Sequence, residues 1–317
     1  MKVLLFTHAQ DIDGAGCAVL LRKAFDDYTI VPTETFDVNA NVKRYIDNGS
    51  IKDYDRIFVT DLCIKEPLLF QIDSDEELKR KIQVIDHHKT EIEEGNDKYD
   101  FVDAMVEKDG KKVSGTSLFY EYLISHGYLK QTDVLDQLVE WTRQYDIWEW
   151  KKHDNYDARK LHILFETSDF EQYFRRISEK VDISASITFT DEEEAIVQAY
   201  DKALAEDMDE LLKDMKVAKL QIDGLPYRVG YIHCPYKYRN DVDGFVTQNN
   251  VHDVDAVGMI MTDKEVVSYR RVNEEIDMSQ VGKYFGGKGH GGAATHPQSS
   301  EKFKKMYKSL CNSLEER

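Results

Sequence analysis

The chain has 317 residues, 41% apolar and 32% charged, and its 42 basic and 60 acidic side chains leave a formal net charge of −18. This composition suits a soluble globular protein with room for more than one core. It excludes gripping long duplex DNA by bulk electrostatics, and no apolar run approaches the roughly eighteen residues of a membrane span.

The opening "MKVLLFTHAQ" holds a short apolar run, too brief for a signal peptide, and predicts a strand over 2–6. "GAGCAVLLRKAF" (14–25) follows with helical spacing. "DRIFVTDL" (55–62) predicts a second strand and "KIQVIDHH" (81–88) a third. The runs are continuous rather than alternating, as in parallel strands covered on both faces. Helices interleave with them, so a doubly wound α/β domain is expected.

Residues 115–150 read as helical, with Val134, Leu135, Leu138 and Trp141 at offsets of three and four ahead of "YDIWEW". Residues 161–186 read as connecting helix and loop. Thr190 and Glu193 form a T-x-x-E capping box that opens an acidic helix reaching about 215. Its expected apolar stripe is Ala195, Ile196, Ala199, Ala203 and Leu204. Beyond 216 two strand–turn–strand patterns precede a glycine-rich stretch, "GGKGHGGAA" (286–294). The last helix carries Phe303, Met306, Tyr307, Leu310 and Leu314 on one face. The expected organisation is a catalytic domain over 1–189, a helical linker over 190–215 and a smaller α/β domain over 216–317. Cys17, Cys63, Cys234 and Cys311 lie far apart with no C-x-x-C, which predicts a reduced, cytoplasmic chain.

The chemistry collects at strand ends. The first strand runs into "THAQDIDG", offering His8, Asp11 and Asp13; the second ends with Asp61; the third ends with Asp86, His87 and His88. In an open α/β sheet the ligand crevice lies beyond the carboxyl ends of the strands. Carboxylates crowded there repel one another, and a divalent cation removes the conflict. Mixed carboxylate and imidazole donors suit Mn²⁺, Zn²⁺ or Fe²⁺ better than Ca²⁺. They leave room for two ions about 3.5–4 Å apart, with an activated water as the nucleophile of a phosphoryl displacement. Singly, each residue also reads as a turn, a helix cap or a structural histidine, and "DIDG" also reads as a turn into a helix; the conjunction of three strand ends favours the metal site.

"DIDG", "TDL", "DHH" and "YDIW" resemble the ordered motifs of the DHH phosphoesterase superfamily, and "GGKGHGGAA" resembles the GGxGH motif of its DHHA1 domain. The resemblance spans His8 to Ala294. It implies that His8 and Asp11 hold one metal, that Asp13, His87 and Asp146 hold the other, and that Asp61 bridges them. It implies that His88 faces the scissile phosphate while Asp86 orients a histidine, and that two Mn²⁺ ions are the usual cofactor, with Mg²⁺ or Co²⁺ as substitutes. Arg270 resembles the arginine that binds substrate phosphate, with Arg271 as its alternative on the same strand. His290 matches the motif's histidine, and Gly286, Gly287 and Gly289 would let backbone N–H groups approach an anion; the same glycines also read as a flexible turn. Two features depart from the family. Thr295 stands where Gly often follows the paired Ala, which leaves the helix start after the motif open. The His8–Asp11 spacing varies between subfamilies.

Within the superfamily this two-domain form looks most like the nanoRNase-type oligoribonuclease group. The implied substrate is a short single-stranded RNA or nucleotide, including 3′-phosphoadenosine 5′-phosphate, bound across a cleft between the domains. A homodimer is compatible with this reading; long duplex nucleic acid and membranes are not. The alternatives are a phosphodiesterase of linear dinucleotides such as pApA and a nucleotide-binding regulator without catalysis. Trp148 and Trp150 read as core rather than base platform.

Overall fold

The computed structural model describes every residue except 90, 91, 93, 240, 243, 244, 247–252, 274, 290, 291, 316 and 317, with the side chains of 288 and 313–315 also left out. The chain forms two compact units, Met1–Val197 and Gln198–Arg317.

In the first unit, β1 (Lys2–His8) is buried along its middle five residues. Val3 and Leu5 enter one core while Leu4 and Phe6 enter another. This is why the run is continuously apolar: successive side chains point to opposite faces, and both faces are covered. Helix α1 (Ile12–Ala24) follows, capped by the Asp11 carboxylate, which accepts the Gly14 N–H at 3.1 Å. Strand β2 (Asp27–Thr33) was not legible as an apolar run, and it carries Pro32. It is an edge strand, where a missing N–H is tolerated.

Then come α2 (Val38–Asp47), β3 (Arg56–Thr60), α3 (Glu66–Asp73), α4 (Glu76–Lys81), β4 (Ile82–Asp86) and β5 (Val102–Ala104). The sheet order is β2-β1-β3-β4-β5, parallel throughout. The chain therefore reverses its winding between β1 and β3, and the carboxyl ends of those two strands are where such a sheet binds its ligands. The expected strands at 55–62 and 81–88 stop short, at Thr60 and Asp86, so Asp61, His87 and His88 lie past the ladder.

Strands β6 (Glu107–Lys108) and β7 (Lys111–Lys112) form a small ribbon. The helical stretch at 115–150 is two helices, α5 (Gly115–Ser125) and α6 (Asp133–Asp146). Gly127 divides them, at φ 72°. Its N–H reaches the Ile124 carbonyl at 2.9 Å and the Tyr128 N–H reaches Leu123 at 2.9 Å, a Schellman stop. The expected helix and loop at 161–186 is instead α7 (Tyr156–Glu166) and α8 (Phe170–Ile183).

Helix α9 (Asp191–Lys213) runs across the boundary of the two units. Its capping box forms, with Thr190 N–H to Glu193 at 2.8 Å and Glu193 N–H to Thr190 at 3.2 Å. The expected stripe is displaced: Ala195, Ala199 and Ala203 are exposed, while Val197, Leu204, Met208 and Leu212 are buried. The large side chains win because an alanine removes little apolar area from water.

The second unit contains β8 (Lys216–Ile222), β9 (Leu225–His233), β10 (Ala256–Met261), β11 (Val266–Arg271), α10 (Met278–Tyr284), β12 (Lys288–Gly289), β13 (Ala293–Pro297) and α11 (Glu301–Glu315). Its mixed sheet has the order β12-β13-β11-β10-β9-β8, with β9 and β10 parallel. Asp223 (φ 52°) and Gly224 (φ 83°) supply the two left-handed residues of the β8–β9 hairpin. Thr295 lies within β13, so a strand, not a helix, follows the glycine motif. On α11, Phe303 is buried and Met306, Tyr307 and Leu310 pack beside it; the Leu314 side chain is outside the described residues. No helix among the described residues is long and apolar enough to cross a membrane.

Candidate metal centre

Five acidic and three histidine side chains from separate segments meet at the carboxyl end of the first sheet. His8 closes β1. A side chain on Gly14 would strike the His8 carbonyl oxygen at 2.0 Å, so only glycine lets the chain fold back there. Asp61 follows β3 with φ 57°, a left-handed conformation that Asp tolerates better than most residues. Beneath them the Thr60 hydroxyl donates to Thr7 at 2.9 Å, and Thr7 donates to the Gly14 carbonyl at 2.8 Å.

The donors fall into two groups that approach Asp61 from either side, and a third set, Asp61, Asp86, His87 and His88, overlaps them. His8 Nδ1 lies 2.7 Å from Asp11 Oδ2 and 3.6 Å from Asp61 Oδ2. His87 Nε2 lies 3.4 Å from Asp61 Oδ1, 3.6 Å from Asp13 Oδ2 and 3.5 Å from Asp146 Oδ2. Asp61 thus turns one oxygen toward each group. Within the His8–Asp11–Asp61 set, and again within Asp13–His87–Asp146, the donor atoms lie within 4.8 Å of one another. Donors sharing one ion at about 2.0–2.2 Å stand roughly 3–4.4 Å apart, so both sets are near the size a cation needs.

Burial and helix ends set the electrostatics. Asp13 is fully buried; it accepts the Gly115 N–H at 2.6 Å and the Thr116 N–H at 2.9 Å, at the positive end of α5. Burial, then the Asp61 charge, still push its carboxyl up to about 6. Asp146 ends α6, the negative end of a helix dipole. Burial raises its carboxyl well above the usual range, against the pull of His87. Burial would lower His8, but Asp11 and Asp61 outweigh it and push the imidazole up to about 11. His87 is likewise raised well above its ordinary value, with burial opposed by Asp146, Asp61 and Asp13.

The fit to cations is tested by atoms that protein groups do not satisfy. Asp61 Oδ2, Asp146 Oδ2 and His8 Nδ1 are buried and make no aligned hydrogen bond among the described residues, although His8 has the close charge contacts above. Buried polar atoms are rarely left so. Aimed at one another in two donor sets, they fit divalent cations.

His88 and Asp86 do something else. Asp86 is fully buried, and its Oδ1 accepts the His87 backbone N–H at 2.8 Å while lying 2.8 Å from His88 Nδ1. Facing a carboxylate, Nδ1 must be the donor, which leaves Nε2 of the half-exposed His88 available to a ligand. Burial opposes the charge, but Asp86 pushes His88 up to about 9. The histidine that Asp86 orients by its side chain is therefore His88.

Sequence reasoning missed Gly115 and Thr116. A side chain on Gly115 would stand 2.8 Å from Asp61 Cβ and 3.0 Å from Asp13 Oδ2. Its signal was the "SGTS" run at a helix start, with Ser114 as N-cap.

The remaining candidates lie in the second unit. Arg270, on β11, donates to Ser268 Oγ and to the Tyr269 carbonyl, both at 3.0 Å. Tyr269 and Gly289 both pair with Ala294, and Arg270 pairs with Ala293, so the arginine and the glycine hairpin are close neighbours across β13. The glycines have structural reasons. Gly286 (φ 82°) ends α10 in a Schellman motif, with Gly286 N–H to Lys283 at 3.0 Å and Gly287 N–H to Gly282 at 2.8 Å. A Cβ on Gly287 would lie 1.9 Å from the Thr295 carbonyl oxygen, and one on Gly289 2.6 Å from Ala294 Cβ. Arg271 is exposed at the end of the strand. His290 lies outside the described residues.

Comparison with known proteins gives a consistent answer. Residues 2–141 match the DHH family, N-terminal domain. The chain is 29% identical over 292 residues to the oligoribonuclease NrnB of Bacillus subtilis (strain 168), covering 92% of this chain and 71% of that protein. A pGpG-specific phosphodiesterase of Vibrio cholerae shares the fold at TM-score 0.57 and 14% identity, over 99% of each chain. Exonuclease RecJ bound to manganese shares it at TM-score 0.57 and 13% identity, over 98% of this chain and 89% of that one.

Proposed function

We propose that this chain, whose residues 2–141 match the DHH family, N-terminal domain, is a divalent-metal-dependent phosphodiesterase that hydrolyses short oligoribonucleotides. The observation that carries the reading is the pair of donor sets joined through Asp61, with buried oxygens left for cations. His8, Asp11 and Asp61 would hold one ion; Asp13, His87, Asp146 and Asp61 would hold the other. Two bound ions, with Mn²⁺ the first choice and Mg²⁺ or Co²⁺ as substitutes, would supply Lewis acidity to the phosphate and lower the pKa of water.

The chain's own groups do the rest. Asp86 accepts from His88 Nδ1 and favours the doubly protonated ring, so that His88 offers Nε2–H to a phosphate oxygen. Gly115 and Thr116 hold Asp13 in register. In the second unit, Arg270 and the hairpin of Gly287 and Gly289 would take a phosphate, together with His290. The free state of all four cysteines fits a reducing, cytoplasmic setting.

The likeness in fold to a pGpG-specific phosphodiesterase motivates a second reading, hydrolysis of linear dinucleotides. One assay separates the readings: Mn²⁺-dependent turnover of pApA, of RNAs from two to about twenty-four residues, and of 3′-phosphoadenosine 5′-phosphate. Preference for RNAs of a few residues supports the first reading, and activity confined to dinucleotides supports the second. No turnover on any of them would overturn both and leave a nucleotide-binding regulator.

A further inference from the structure

The two tryptophans after Asp146 part company. Trp150 packs against the core of the first unit, whereas Trp148 is 36% exposed. Trp148 also holds φ at 65°. A bulky residue enters that left-handed region only when its surroundings impose it, and such strain gathers at functional sites. Glycine or asparagine would take the same backbone more easily and expose no large apolar ring.

The surroundings do impose it. Trp148 N–H bonds the Tyr145 carbonyl at 3.1 Å, and Trp150 N–H bonds Gln144 at 3.0 Å. Arg143 donates at 3.0 Å both to Glu149, the next residue, and to the Lys112 carbonyl, while gripping Glu140 at 2.7 and 2.9 Å. The turn is thus pinned on both sides of a side chain that it presents outward. The Tyr145 ring stacks beside the indole, centroids 6.3 Å apart at 29°. Lys151 Nζ lies over the indole, 5.3 Å from its centroid, and over Trp150 at 5.5 Å, a flexible cation that a stacking base would displace.

Two residues of chain, at most roughly 7 Å, separate Trp148 from Asp146. That is about the reach from a phosphate to its own base. We propose that Trp148 is the platform on which a nucleobase of the substrate stacks while the adjoining phosphate lies at the metal centre. The assignment rests on the reading of the chain as an oligonucleotide hydrolase. Stacking is indifferent to base identity, so the platform would favour nucleotides without reading sequence.

The test is Trp148→Gly, which removes the ring and relieves the backbone, with Trp148→Phe as the conservative partner. For Trp148→Gly, KM for pApA is expected to rise roughly 5- to 100-fold with kcat little changed. A base-free ribose–phosphate analogue should be cleaved as by the wild type, and the melting temperature should not fall. Quenching of tryptophan fluorescence by a phosphorothioate pApA analogue should be lost, and Trp148→Phe should retain most of the affinity. An unchanged KM for pApA overturns the platform. So does an equal loss on the base-free analogue with a lowered melting temperature, which marks a structural residue. Wild-type protein inert toward pApA and RNA alike overturns the hydrolase reading, and the platform falls with it.

Discussion

Replacing Gly115 by alanine changes no donor, yet it should cripple the centre. Its new Cβ would stand 2.8 Å from Asp61 Cβ and 3.0 Å from Asp13 Oδ2, against the 3.4 Å at which ordinary contact begins. Asp61, or the start of α5, must yield by about 0.6 Å, the shortfall on the Asp61 side. Neither gives easily: Asp61 is held in a left-handed conformation with its N–H bonded to the Ile85 carbonyl at 3.0 Å, and α5 is tied to Asp13 through two N–H groups. Overpacking of this kind costs about 1–3 kcal/mol, offset by up to about 1 kcal/mol of helix propensity gained over glycine. Net destabilisation is then about 0–3 kcal/mol, or a melting temperature lower by at most roughly 12 °C for a unit of this size. Activity should suffer more, since displacing catalytic groups by about 1 Å costs on the order of 100-fold. The assay is Mn²⁺-titrated hydrolysis of a five-residue RNA, with thermal melting as the fold control. A variant with kcat and Mn²⁺ midpoint within twofold of wild type would refute the claim that Gly115 sets the spacing of Asp61 and Asp13.

Asp61→Asn and His87→Ala should each abolish Mn²⁺-dependent hydrolysis while the protein stays folded; asparagine suits the left-handed backbone at position 61. Normal turnover in either would sink the shared-carboxylate arrangement. Metal-free protein should lose melting temperature as pH rises. Burial and Asp61 raise Asp13 from 3.8 to about 6, so its favourable contribution is lost across that window. Against burial, Asp11 and Asp61 raise His8 from 6.5 to about 11, so its contribution is complete below 6.5 and lost toward 11. Mn²⁺ should reverse the trend between pH 6.5 and 9, because it replaces protons at the same atoms; a flat profile in chelator would contradict this. Asp86→Asn should lower kcat about 10- to 100-fold by releasing His88 while leaving the Mn²⁺ midpoint nearly unchanged, and a shifted midpoint would place Asp86 on the metal instead.

Much of the first unit was legible because one physical rule writes it. A parallel strand covered on both faces is apolar at every position, so β1, β3 and β4 announce themselves, and the first polar residues after each run mark the crevice. His8, Asp61 and Asp86 are found that way. Strand β2 was not, because an edge strand can carry Pro32 and polar residues without penalty. Nor was the stripe of α9, since helical period alone does not tell an alanine that is exposed from one that is buried. Gly115 was hidden for another reason. Its importance is a contact with residues far away in sequence, and only the packing of α5 against the start of α1 and the end of β3 reveals it.

The same distinction divides the two glycine-bearing segments. In "GGKGHGGAA" the fold itself requires the glycines: Gly286 is a helix stop, and Gly287 and Gly289 are where β13 passes too close for a side chain. "SGTS" drew no notice, yet its glycine touches two candidate ligands. Abundance of glycine therefore measures how many backbone constraints a segment carries, not whether a ligand imposes them. In the first unit the centre is built by placing Asp11 and Asp13 at helix N-termini, where the backbone favours their charge, and Asp146 at a C-terminus, where it does not. A fold optimised for stability alone would not end α6 on that carboxylate beside four others. That misfit, more than any single motif, marks the place as one that awaits positive charge.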